Sequence, residues 1–113
     1  MKNSEFKVIK IIYPLNNPYE DVSIFDGFIA GGLEDCNNAI LRDVRFYKKC
    51  EPDSGSIICY VNGICLEDED AEGLDEILSA GVPNSDYSVK LQADDVYGTI
   101  YDIHYHVCEN KIF

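Results

Sequence analysis

The chain has no tryptophan, one methionine and only nine lysines and arginines in 113 residues. Beyond residue 50 the bases dwindle to Lys90 and Lys111. Phosphate recognition needs a basic surface, so direct nucleic-acid binding is not expected. No apolar run approaches the roughly 20 residues a membrane-spanning helix requires. The start, Met1-Lys2-Asn3-Ser4-Glu5-Phe6, lacks the apolar stretch and small-residue cleavage site of a secretory signal. A cytoplasmic protein with no membrane partner is the expectation. The five cysteines, Cys36, Cys50, Cys59, Cys65 and Cys108, are odd in number and lack C-x-x-C spacing. That argues against a secreted disulfide framework and for buried reduced thiols. G-x-S-x-G, P-loop and H-E-x-x-H motifs are also missing, so the expectation is no enzyme and no cofactor.

Acid fills the space that the bases leave. Residues 1–50 balance seven acids against seven bases, whereas residues 51–113 hold fourteen acids and two bases, so the net charge of −12 belongs to the second half. Seven of those acids crowd one stretch: Glu67, Asp68, Glu69, Asp70, Glu72, Asp75 and Glu76. Asp94 and Asp95 form a second cluster, followed by Tyr97. Like charges at this density repel one another and cost stability, but a segregated field accelerates and orients association with a basic partner. A hydrophobic content of 46%, with apolar runs from Phe6 to Phe113, marks one folded domain over residues 1–113 rather than a disordered acidic tail.

Phe6 to Tyr13, rich in β-branched and aromatic residues, predicts an opening strand stopped by Pro14 and Asn16-Asn17-Pro18. Ser23 three residues before Asp26, with Ile24, Phe25, Phe28 and Ile29 at helical spacing, predicts a short helix ending at Gly31-Gly32. Ala39 to Lys49 suits either a helix or a strand, and Val44 and Phe46 favour the strand. Asn62-Gly63 between Ser56–Val61 and Ile64–Leu66 predicts a type I′ hairpin, extended into a meander by the 39–49 segment. Asp70 is a candidate N-cap for a helix carrying Leu74, Ile77 and Leu78 and stopped by Gly81 and Pro83. Tyr87 to Ala93 and Tyr97 to Cys108 predict two strands turning at Asp94-Asp95. In the second, Thr99, Tyr101, Ile103, Tyr105 and Val107 form the expected core face, opposite Ile100, Asp102, His104, His106 and Cys108. The sum is an α+β fold, a single antiparallel sheet of about five to six strands with two short helices.

Two constellations invite a metal. Asp68-x-Asp70-x-Glu72-Gly73 matches the first half of an EF-hand loop, but Ser79 stands where the bidentate Glu belongs and no amphipathic helix precedes it. A helix start welcoming negative charge explains Asp70 and Glu72 instead. His104-x-His106-x-Cys108 puts three ligand types on one strand face, about 7 Å apart at each step. Such pairs are less diagnostic than separated ligand pairs, so an outward polar face or a histidine satisfied inside a hydrogen-bond network is preferred and no metal is expected. A zinc-dependent or cysteine enzyme using His104, His106 and Cys108 is retained as an alternative.

In size, acidity and architecture the chain resembles the immunity proteins of bacterial toxin systems, including contact-dependent growth inhibition. The resemblance implies an inhibitor that neutralises a cognate toxin with a basic surface, a nuclease above all, by occluding its groove. A nuclease groove is basic because it holds phosphates, and clustered carboxylates can occupy its field. Glu67 to Glu76, Asp94, Asp95 and Tyr97 are the expected partner-binding residues. A phage-encoded DNA mimic that blocks a restriction or CRISPR nuclease would use the same chemistry.

Overall fold

In the computed structural model, residues 5–50, 57–61, 64–67, 76, 78, 86–94 and 97–110 are described. Glu5–Pro14 forms β1, as its composition predicts, and alternates buried Phe6, Val8 and Lys10 with half-buried Lys7, Ile9 and Ile11. Ser23–Gly31 is β2 and Leu33–Cys50 is α1. Then come β3 (Ile57–Val61), β4 (Ile64–Glu67), β5 (Tyr87–Asp94) and β6 (Ile100–Asn110). The strands form one antiparallel sheet in the order β2-β1-β6-β5-β3-β4. The α+β expectation therefore holds.

One face of this sheet is the core. Across the three central strands the register stacks Val8 against Val107 and Tyr87, Lys10 against Tyr105 and Val89, and Ile12 against Ile103 and Leu91. Each fully buried aliphatic side chain contributes about 1.5–3 kcal/mol through removal of apolar surface from water. The alternation expected of β6 is observed: Thr99, Ile103, Tyr105 and Val107 are buried, while Asp102, His104, His106 and Cys108 lie half-exposed on the opposite face. Tyr101, assigned to the core by pattern, is only half-buried.

Three expectations are corrected. Ser23 to Ile29 is not a helix but the edge strand β2. Its register against β1 jumps from Val8↔Ile29 to Lys10↔Phe25, and Gly27 adopts φ 66° within the resulting bulge. A bulge resets strand alternation. Two short strand segments placed out of phase thus imitate the spacing of a helix. Conversely, Ala39 to Lys49 is not a strand but lies in α1. Buried Cys36, Ile40 and Val44, with half-buried Tyr47, form the helical stripe that packs on β1 and β2. Residues 39–49 consequently do not extend the hairpin, and the other neighbour of β3 is β5.

Gly31-Gly32 opens a helix rather than closing one. The Asp35 carboxylate accepts the Gly32 N–H at 3.1 Å, and the Cys36 N–H bonds the Gly32 carbonyl at 3.1 Å. Asp35 thereby satisfies a donor that a helix start leaves unpaired. A Cβ on Gly31 would approach the Asp35 carboxylate to 2.8 Å and push aside the group that accepts the Gly32 N–H. The Asn62-Gly63 turn and most of the helix expected after Asp70 lie outside the described residues. Val61↔Ile64 pairing does join β3 and β4 as a hairpin, and Glu76 and Leu78 are helical.

Lys10 ties α1 to the sheet. It is 7% exposed, with its ammonium 2.8 Å from the Asp43 carboxylate and within 4.7–5.9 Å of the rings of Tyr47, Phe25, Phe28 and Tyr105. The Tyr105 hydroxyl donates to the same carboxylate. Burial opposes the charge on Lys10, but hydrogen bonds and charge from Asp43 and Tyr47 outweigh it and raise the pKa.

Candidate functional site

The sheet has two dissimilar ends. Because β4 and β5 both pair antiparallel with β3, they run in the same direction, so Glu67 and Asp94 leave the sheet at one end. Pro14 of β1 and Tyr101 of β6, paired with each other, belong to that end as well. Residues 15–22, 51–56, 68–76 and 95–99, which adjoin it in sequence, carry eleven acids and no lysine or arginine. Of the expected partner-binding residues, Glu67 and Asp94 close their strands, while Glu76 and Tyr97 are exposed. Asp68, Glu69, Asp70, Glu72, Asp75 and Asp95 lie outside the described residues.

A feature that sequence reasoning missed organises this end. Asn16 bridges the β1–β2 loop to the β5–β6 turn: its Nδ2 donates to the Gly98 carbonyl at 2.9 Å, and its Oδ1 accepts the Ile100 N–H at 2.7 Å. The Leu15 N–H continues the ladder to the Ile100 carbonyl at 2.8 Å. Asn17 Oδ1 accepts the Tyr19 N–H at 3.1 Å, turning the loop on itself. The Tyr101 hydroxyl bonds the Glu20 carboxylate at 2.8–3.0 Å. Asn16-Asn17-Pro18 signalled only the end of a strand. The signal available was two asparagines, whose side chains bond backbone readily, but their distant partners could not be inferred.

The open face of the sheet carries the alternative chemistry. His104 Nε2 lies 3.1 Å from Asp102 Oδ2, and its ring stands edge-on to Tyr13 at 4.8 Å and 6.0 Å from the His106 ring. Cys108 borders an open pocket of about 280 Å³ together with His106, Asp86 and Tyr60. Burial, reinforced by the Asp86 charge, pushes the Cys108 thiol up despite Lys7 nearby. Burial and the neighbouring His104 push His106 down. A cysteine nucleophile needs the opposite environment, one that favours thiolate. Among the described residues no three His, Cys, Asp or Glu side chains are grouped to hold a metal ion.

Among the described residues no helix is long and apolar enough to cross a membrane. Searches of protein-family models, curated proteins and solved structures found no match for this chain.

Proposed function

We propose that this chain is an immunity-type inhibitor that binds and neutralises a cognate basic toxin, most naturally a nuclease, in the cytoplasm. The observation that carries the reading is the common direction of β4 and β5, which brings Glu67 and Asp94 out at the same end of the sheet. Were they at opposite ends, the two acidic stretches could not share one surface. The partner-binding set is Glu67, Asp68, Glu69, Asp70, Glu72, Asp75, Glu76, Asp94, Asp95 and Tyr97. Its mechanism is occlusion: carboxylates occupy the positive field that a nuclease groove maintains for phosphates, and the folded domain blocks entry. Burial holds the Cys108 thiol in its protonated form, which is unfavourable to the alternative of a cysteine nucleophile.

Tagged protein used for affinity capture in its native host should recover a basic partner whose activity it suppresses. Association measured by surface plasmon resonance should slow about tenfold or more as salt rises, because exposed charges act mainly on the on-rate. Changing Glu67, Asp68 and Glu69 to Ser should slow it further. An on-rate indifferent to both salt and these substitutions would refute the acidic-end mechanism.

A further inference from the structure

Seven large hydrophobic side chains are exposed among the described residues, and four of them, Leu15, Tyr19, Val22 and Tyr97, lie on the β1–β2 loop and next to Gly98, which Asn16 ties to that loop. Tyr19 and Tyr97 are 95% and 90% exposed, and the Tyr19 backbone N–H is held by the Asn17 side chain. Scattered surface hydrophobes need no explanation, but a contiguous group rimmed by polar residues marks an interaction surface.

We infer that Leu15, Tyr19, Val22 and Tyr97 form the apolar anchor of the partner interface, inserting into an aliphatic or aromatic slot on a protein whose surrounding surface is cationic. This rests on the proposed binding of a basic partner and identifies the part of the surface that holds it. Asn16 already ties the loop to Gly98 and Ile100, which lowers the conformational freedom to be lost on docking. Tyrosine supplies large rigid contact area with a polar tip, a property enriched at interface hot spots. Charge selects the occupant. The run from Leu15 to Phe25 contains Glu20 and Asp21 and no base. A second copy would set these acids against their equals, and an anionic membrane would be repelled. A cationic rim is the complement.

The division of labour follows from physics: acids govern the on-rate, and the desolvated anchor governs the off-rate. Two synthetic peptides of equal positive charge test it, one of lysine, glycine and serine and one with leucine and tryptophan between the lysines. Full-length protein should bind the apolar-containing peptide about tenfold more tightly in anisotropy titrations at low salt. Tyr19→Ala with Tyr97→Ala should abolish that advantage while leaving the polar peptide's affinity and the urea midpoint unchanged. Asn16→Ala, which releases the loop without removing either ring, should reduce the advantage in part.

Equal affinity for the two peptides, or an advantage that survives both tyrosine substitutions, overturns the anchor while leaving the acidic end intact as a cation-binding surface. Binding of neither peptide removes the basic-partner reading, and the anchor with it. Tyr19-dependent binding to phosphatidylcholine vesicles, or a dimer in sedimentation equilibrium that Tyr19→Ala dissociates, assigns the surface to lipid or to a second copy and overturns the proposal.

Discussion

Charge is handled in opposite ways in two regions of this molecule. Under α1, one lysine is matched to one carboxylate, ringed by aromatics and supported by a tyrosine hydroxyl. At the loop end, the adjoining segments contain acids without a single basic residue. Away from water an unpaired charge is prohibitively costly, so partners must be built into the fold. In solvent, water and salt screen the charges and the fold can tolerate an excess. The buried lysine's charge is thus matched within the chain, whereas the acids of the loop-end segments have no basic residue beside them in sequence.

The contrast breaks most sharply at Lys10. Lys10→Met should leave the half-buried Asp43 carboxylate without its cation and lower stability by about 2–4 kcal/mol in urea unfolding, whereas Lys10→Met with Asp43→Leu should recover most of the loss. A single substitution that costs under about 1 kcal/mol would show that the pair is not tightly desolvated. Asn16→Ala should cost less, about 1–2 kcal/mol for two hydrogen bonds, and should speed amide hydrogen exchange at Ile100. Unchanged exchange there would mean that the turn holds itself.

Salt sharpens the comparison from the other side. Moderate sodium chloride should raise the melting temperature of the wild type by relieving repulsion among the acids. That gain should shrink when Glu67, Asp68 and Glu69 are replaced by Gln, Asn and Gln, and stay the same in the Lys10 variants. An equal gain in every variant would indicate a general salt effect unrelated to the acidic end.

The smallest effect concerns His106. Its folded-state pKa is lowered, by burial first and then by His104, so the unfolded chain binds the proton more readily. The stability this provides is present above the unfolded value and is lost as pH falls through that value towards the folded one. Acidification also relieves repulsion among carboxylates, which acts in the opposite direction. His106→Gln should therefore make stability rise more, or fall less, than in the wild type between pH 7 and pH 5. Parallel pH profiles would remove His106 as a contributor.

Much of the sheet is legible in the chain because period-two alternation survives wherever a strand is regular. β1, the β3–β4 hairpin and the inward residues of β6 were readable for that reason. β2 was not, because the bulge at Gly27 brings Ile24, Phe25, Phe28 and Ile29 into helical spacing. α1 was obscured by the β-forming residues Val44 and Phe46, while the buried position that starts its stripe, Cys36, precedes the ambiguous segment. At the candidate site, acid clusters and Tyr97 could be identified from the residues alone. That Glu67 and Asp94 share one end required knowing that β3 lies between β4 and β5. The Asn16 bridge spans more than 80 residues and has no local signature.

The pairing of β1 with β6 makes the first described strand wait for the last. Glu5 lies opposite Asn110, and β1 meets its partner only after everything between has been synthesised. On the ribosome the nascent chain cannot complete its central ladder until β6 has emerged. Long-range pairing of this kind slows folding relative to locally connected topologies. An incomplete chain would leave the edge of β1 that faces β6 unpaired, with its backbone donors and acceptors open, and a stalled or truncated product would be a natural substrate for chaperones and proteases.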